Sequence, residues 1–360
     1  MLPINPPVSP MLARAVSELP LGSGLSYEPK WDGFRAIVFR EGEGIVIQSR
    51  NGRPLTRYFP ELLPPLCGAL PERCVVDGEV IISTAKGLDF DALLQRIHPA
   101  QSRVDQLARA TPAGFVAFDL LALGTTDLRQ EPFRRRRELL EPVSSSTGNH
   151  QVVVTPATKH PEQAHDWFSR FEGAGLDGVM IKDLELPYLE GKRVMFKLKH
   201  RRSADCVVGG FRWHADGQGV GSLLLGLYDV ERRLQHVGVT ASFSAAQRRQ
   251  LVHELEPWRL PEGATDHPWS TAQPDAAPGR RPGAPSRWNA KEDLSFELLR
   301  PERVVEVAYD HLQGDRFRHG TTFLRWRLDR EPSSCAYDQL QVVVPIELKE
   351  IFWGSAGDPR

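Results

Sequence analysis

Glu28-Pro29-Lys30-Trp31-Asp32-Gly33-Phe34-Arg35 runs directly into Ala36-Ile37-Val38-Phe39. The second run reads as a buried strand, so the lysine falls on a tight turn that enters a sheet. A lysine at a strand edge near other cations gives up its proton cheaply, because desolvation and like charge both disfavour the ammonium form. The neutral amine is then a nucleophile. A surface turn with solvated charges accounts for these residues equally well, and the rest of the chain has to decide.

Downstream, Glu41-Gly42-Glu43-Gly44 predicts a hairpin turn and Ile45-Val46-Ile47-Gln48 the returning strand. That strand ends in Ser49-Arg50-Asn51-Gly52, a second turn carrying a cation. In Cys74-Val75-Val76-Asp77-Gly78-Glu79-Val80-Ile81-Ile82, alternation puts Asp77 and Glu79 on one face and Val76 and Val80 on the other. Acids inside so apolar a strand are costly unless they meet a cation or a metal. Phe115-Val116-Ala117-Phe118-Asp119-Leu120-Leu121 is another buried strand. Glu61–Leu70, Phe90–Ile97, Arg103–Ala110, Arg129–Leu140 and His160–Glu172 read as helices, with a loop at Ser144–Asn149 and a strand at Val152–Val154. Arg134 to Arg137 are consecutive and cannot share one helical face, which predicts a solvated, partly paired surface. Gly175-Leu176-Asp177-Gly178-Val179-Met180-Ile181-Lys182 places an acid and a lysine at the two ends of a short apolar strand. Further on, Phe196 and Leu198 face one side of a strand while Lys197 and Lys199 face the other. Two lysines on one face repel unless an anion lies between them; a basic edge strand guarded against aggregation is the bland account.

Composition bounds these readings. The chain has 360 residues, enough for two domains, and its apolar and charged fractions are those of a globular protein. A net charge of −1 announces no polyanion partner, so any such site must come from local clustering. Lys192, Arg193, Lys197, Lys199, Arg201, Arg202 and Arg212 supply that clustering. Cys67, Cys74, Cys206 and Cys335 are scattered, which argues against structural zinc and against a disulfide framework and fits a reducing cytosol. No stretch is long and apolar enough to span a membrane. The proline-rich start predicts an extended lead-in with at most one short helix, Met11–Leu19, too little for a separate domain ahead of Lys30.

The second half changes character. Ala204–Trp213, Val220–Tyr228 and Leu234–Val239 read as strands, with Gly209-Gly210 marking a bulge or bend. A helix from Ser244 to about Leu255 opens with a capping box of Ser244 and Gln247. Residues 261–288 are rich in proline, glycine and alanine and read as a long loop with little core; Arg303–Tyr309 and Phe323–Arg327 are further strands. Strands, a helix and then more strands is the order of a small five-stranded barrel that binds oligonucleotides. Arg316 and Arg318 share one face, as do Arg325 and Arg327.

Taken together these segments resemble the nucleotidyltransferase superfamily of ATP-dependent DNA ligases, over about residues 10 to 340. Lys30-Trp31-Asp32-Gly33-Phe34-Arg35 is similar to the family's K-x-D-G-x-R signature. Ser49-Arg50-Asn51-Gly52, Asp77-Gly78-Glu79, Phe118-Asp119, Asp177–Lys182, Lys197-Leu198-Lys199 and Arg316–Arg327 resemble the later motifs in the same order. Within the family the likeness is nearest to the compact two-domain bacterial ligases, DNA ligase C and the ligase domain of ligase D. The resemblance implies an α+β fold: a nucleotidyltransferase (adenylation) domain of antiparallel sheets and flanking helices over 1–201, and an OB-fold β-barrel domain over 202–345 carrying the 261–288 insertion. Residues 346–360 form a C-terminal tail.

It also implies roles. Lys30 attacks the α-phosphate of ATP; Glu28 reads the adenine amino group; Phe118 stacks on adenine and Met180 lines the same pocket. Arg35 and Arg50 hold ribose and phosphate, and Glu79 contacts the ribose and the metal region. Lys182, Lys197 and Lys199 neutralise the α-phosphate. Arg316 and Arg318 orient the pyrophosphate leaving group. Mg²⁺ or Mn²⁺ is the implied metal, with Glu79 and Asp177 as its carboxylates. The family's fourth motif usually opens with glutamate, and Asp177 is one methylene shorter, so contact through water can replace direct contact. Implied partners are nicked duplex DNA and, beyond it, a repair polymerase or end-binding proteins; the implied state is a cytoplasmic, nucleoid-associated monomer acting in DNA repair. An RNA ligase, an RNA-capping guanylyltransferase and a non-catalytic nick-binding module are the competing readings. NAD is disfavoured as adenylate donor, because cysteine-rich zinc modules and an added N-terminal domain are absent.

Overall fold

A computed structural model describes residues 1–84, 87–144, 151–170, 174–200, 202–270, 280–283, 295–310 and 312–340. The tail at 346–360, the loop at 145–149 and much of the 261–288 insertion lie outside the described residues. The chain divides into two compact units, Met1–Lys199 and His200–Val342.

Among the described residues the first unit holds two main sheets and a small two-stranded one, Ser83–Thr84 with Gly87–Leu88. Strands β1 (Leu12–Val16), β2 (Leu25–Pro29), β3 (Phe34–Glu41), β4 (Gly44–Ser49), β5 (Arg73–Ile81), β6 (Gly114–Leu123), β7 (Val152–Val154), β8 (Val179–Asp183) and β9 (Arg193–Leu198) are its main strands. The smaller sheet runs β1-β9-β8-β2; the larger runs β7-β6-β5-β3-β4, with a short strand Thr126–Asp127 paired to β6. The helix expected over Met11–Leu19 is instead strand β1, parallel to β9 in the register Val16↔Leu198. Its partner lies almost the whole unit away in sequence, so no local pattern could reveal the pairing.

Alternation decides what each face carries. On the larger sheet Cys74, Val76 and Val80 join Ala36, Val38 and Leu66 in one core. On the opposite face Ile37, Phe39, Val75 and Leu121 pack with Met195 and Tyr188, which joins the two sheets. On the smaller sheet Tyr27, Val179, Ile181 and Leu198 form a third cluster with Ala164, from helix α1 (Pro161–Arg170). That leaves Glu28, Met180, Lys182 and Lys197 on the inner face, with Met180 opposite both Glu28 and Lys197. The apolar alternation of these strands therefore gathers the charged residues in one place.

The second unit is an open five-stranded sheet in the order β12-β11-β10-β13-β14: β10 (Arg202–Trp213), β11 (Val220–Tyr228), β12 (Leu234–Thr240), β13 (Glu297–Tyr309) and β14 (Thr322–Trp326). The edges meet only through a bridge between Thr240 and Thr321, so the barrel is partly open among the described residues. Ladder register shifts between Val208 and Gly210 on both sides of β10, where the glycine pair predicts a bulge. Helix α2 (Ala245–Leu255) starts with the predicted capping box: Ser244 accepts from the Gln247 amide, and the Gln247 side chain accepts from that of Ser244. The insertion is not without core. Trp269 is fully buried and donates from Nε1 to the Leu234 carbonyl at 2.9 Å. A Cβ on Gly209 would come within 2.6 Å of the Trp269 ring, so the glycine opens the slot that receives it.

Candidate active site

Lys30 follows β2 immediately. Its amide donates to the Gly178 carbonyl and the Asp177 amide donates to the Lys30 carbonyl, both at 2.9 Å, which carries the β2–β8 pairing past the strand ends. Gly178 makes this turn possible: its φ is +127°, and a Cβ there would sit 2.0 Å from the Leu198 carbonyl oxygen. The turn sets Asp177 Oδ2 at 2.6 Å from Lys30 Nζ and 2.9 Å from Lys199 Nζ. Lys30 is thus not surrounded by cations alone, as its sequence neighbourhood predicts; a shared carboxylate stands between it and Lys199.

Glu79 pairs with Arg35 across the larger sheet and accepts from the Gly33 amide at 3.2 Å. Burial pushes its carboxyl up to about 7, against the pull of Arg35 and Lys30. Lys197 is pushed below the usual lysine range by desolvation, then by Lys199 and Lys30. Arg50 is exposed, with its amide bonded to the Arg35 carbonyl at 3.1 Å. Asp77 is buried and receives Arg35 through two bonds of 2.6 Å and the Tyr188 hydroxyl at 2.5 Å. Arg35 is thereby fixed in the wall, its guanidinium 4.4 Å from the centroid of Phe118.

A second cluster lies beyond Phe118. Lys182 Nζ is 2.8 Å from Glu28 Oε2 and donates to the Phe118 carbonyl at 3.0 Å, while standing 4.9 Å from the Phe118 ring centroid. Burial lowers its proton affinity, opposed by Glu28 and Asp119. Lys182 is therefore bound to the residue expected to read the base.

The four-arginine run is corrected by the structure. Arg134 and Arg135 are exposed, but Arg136 is fully buried in a two-bond pair with Asp119, at 2.7 and 3.0 Å, and Arg137 reaches Glu28 at 3.6 Å. The helix Phe133–Leu140 turns consecutive residues by about 100°, so a run of four must place some of them inward. Tyr188 and Arg137 are the wall residues that sequence reasoning missed. Asp119, isolated in an apolar strand, was the signal that a buried cation was needed.

In the second unit Arg316 and Arg318 line a cleft of 240 Å³ with Arg212, His236 and Arg281. Burial, followed by the charges of Arg316, Arg212 and Arg280, pushes the His236 imidazole down to about 3. The cleft is a cationic concavity of the kind that takes phosphate oxygens.

No group of three or more metal-ligating side chains occurs among the described residues. Two carboxylates, one of them shared by lysines, suit an ion held largely by phosphate and water, the habit of Mg²⁺.

Comparison with known proteins identifies the family. Residues 10–199 match the family model described as ATP dependent DNA ligase domain, and residues 216–330 the ATP dependent DNA ligase C terminal region. The chain is 53% identical over 358 residues to DNA ligase C of Mycobacterium tuberculosis, covering 98% of this chain and 99% of the other. It is 53% identical to DNA ligase C2 of Mycolicibacterium smegmatis, over 94% and 96% of the two chains. A solved structure of a Lig E DNA ligase shares the fold, with a TM-score of 0.54 at 16% identity over 89% of this chain and all of that one. The chain belongs to the ATP-dependent DNA ligase family. It is an enzyme that joins DNA ends and uses ATP. No helix among the described residues is long and apolar enough to cross a membrane.

Proposed function

We propose that the enzyme seals 5′-phosphate/3′-hydroxyl nicks in duplex DNA through a lysyl-AMP intermediate. The observation that carries this reading is Lys30 Nζ beside Asp177 and Lys199, on the same strand end as the buried Glu28. ATP enters with its adenine toward Glu28, Phe118 and Met180 and its phosphates toward Lys197, Lys199 and Arg50. The Lys30 amine, once its proton has left, attacks the α-phosphorus; the N–P bond forms as the P–O bond to pyrophosphate breaks. Lys197 and Lys199 neutralise charge on the α-phosphate oxygens. Arg316 and Arg318 receive the pyrophosphate. AMP then passes from Lys30 to the DNA 5′-phosphate, and the 3′-hydroxyl displaces it. Glu79 and Asp177 would hold Mg²⁺ or Mn²⁺, which would neutralise further phosphate charge. Lys182 is better placed for the base than for the α-phosphate, given its bond to Glu28.

Residues 1–201 serve as the adenylation domain and 202–345 as the OB-fold domain. The proposed role is repair in a bacterial cytoplasm, with the monomer working on nicks beside a polymerase or end-binding proteins. Incubation with Mg²⁺ and α-labelled ATP should place covalent label on Lys30 through an alkali-stable, acid-labile N–P bond, and Lys30→Ala should take up none. Label on the Lys30→Ala variant sinks the assignment. Sealing of nicked RNA in preference to nicked DNA overturns the substrate reading.

A further inference from the structure

Two buried atoms in the wall beside Glu28 lack an ordinary hydrogen bond. Glu28 Oε1 and Arg137 Nη1 are both shielded from water and both lack a hydrogen-bond partner. They nevertheless face one another as an ion pair 3.6 Å apart. Neighbours hold each of them. Lys182 Nζ occupies the other oxygen of Glu28 at 2.8 Å. Arg137 donates from Nη2 to the Thr155 carbonyl at 2.6 Å and from Nε to Glu141 at 3.3 Å. The Thr155 hydroxyl is in turn bonded by the Trp31 indole at 2.8 Å, next in sequence to Lys30.

A buried acceptor or donor left unsatisfied costs about 1–3 kcal/mol, and more when charged. A small side-chain shift would close 3.6 Å to an ordinary bond. As it stands, the gap leaves Glu28 Oε1 without an ordinary bond, while the cation beside it keeps the group from swinging both oxygens onto Lys182. A carboxylate oxygen accepts and cannot donate. It suits the 6-amino group of adenine and disfavours the 6-carbonyl of guanine or hypoxanthine.

We propose that Arg137 is a positioning residue for base recognition: it holds Glu28 with Oε1 directed at the adenine amine and so sets the preference for ATP over purine triphosphates without that amine. This rests on the reading of Glu28 as the residue that contacts adenine. Arg137 itself touches neither the base nor the reacting phosphate. If it merely balanced the buried charge of Glu28, its loss would slow the transfer of every purine nucleotide in the same proportion.

The test is initial-rate transfer of α-label to the full-length protein from ATP, purine riboside triphosphate (hydrogen in place of the amine) and ITP. Loss of one well-placed hydrogen bond to a charged acceptor gives an expected preference of about 30-fold for ATP over purine riboside triphosphate in the wild type. In Arg137→Gln that ratio should fall below about threefold, through a raised KM for ATP and an unchanged KM for the analogue. Arg137→Lys, which keeps the charge but not the forked anchor on Thr155, should fall between the two. Glu28→Gln should lose the same preference, and the double variant no more than either single change, the coupling expected of residues acting as a unit. A proportional slowing of all three nucleotides with the ratio kept overturns the proposal, as does a wild type without the preference. If Arg137→Gln does not fold, Arg137→Lys decides: a wild-type ratio there overturns it. Failure of the wild type to take label from ATP at all is a separate result, and it removes the underlying reading of the site.

Discussion

Two lysine–carboxylate clusters flank the same pair of strands, and they differ chiefly in access to water. Lys30 and Lys199 share Asp177 with side chains 18% and 23% exposed. Lys182 and Glu28 are 4% and 2% exposed. A charge pair that water can reach is easily exchanged for other partners, because solvent compensates while bonds change hands. A sealed pair cannot be opened cheaply, since either charge left alone keeps its full desolvation penalty. The first cluster suits chemistry, in which Lys30 must leave Asp177 and bond to phosphorus. The second suits recognition, which gains from groups that do not move.

The contrast can be broken by removing one partner from each. Glu28→Ala leaves Lys182 and Arg137 without their buried carboxylate and should cost about 3–5 kcal/mol of stability, read as a large drop in melting temperature or denaturant midpoint. Asp177→Asn leaves lysines that water can solvate; it should cost less than about 1 kcal/mol, yet slow label transfer about 100-fold. Equal losses of stability in the two variants would show that exposure does not separate the clusters. The smallest effect is the one of pH. The Glu79 carboxyl, raised to about 7 by burial, stays protonated in the folded protein through the window in which the unfolded chain has already ionised. Its contribution to stability therefore declines as pH rises from the ordinary carboxylate value to about 7, while its ability to bind a cation grows. Label transfer should climb several-fold between about pH 6 and 8, and Glu79→Gln should flatten that limb. A rise that survives Glu79→Gln belongs to another group.

Alternation made much of this legible in advance. Asp77 and Glu79 two apart in an apolar strand, and Phe196 and Leu198 opposite Lys197, follow directly from period two. The capping box at Ser244 is local chemistry and could be read locally. What escaped depends on partners far off in sequence. The buried state of Arg136 follows from Asp119 on another element, the strand at Leu12–Val16 from a partner near residue 195, and the place of Lys182 from Glu28. The two bonds from Arg35 to Asp77 belong with these, since the acid lies 42 residues away on another strand.

Trp269 bears on how the second unit folds. The connection from Trp258 to Glu297 is long, but closure entropy grows only with the logarithm of length, so the buried contacts within it matter more than its span. The indole is held by Leu234, and eleven positions on the Arg280 amide donates to the Gln235 side chain at 2.6 Å while the Arg280 carbonyl accepts from the His236 amide at 3.0 Å. Both tethers are on one strand, so that strand divides a single long excursion into three short ones. Each can vary in length with little penalty while the tethers hold. Shortening the side chain at 269 would merge two of them and remove the buried indole, a loss of about 3–5 kcal/mol that no deletion elsewhere in the insertion could restore.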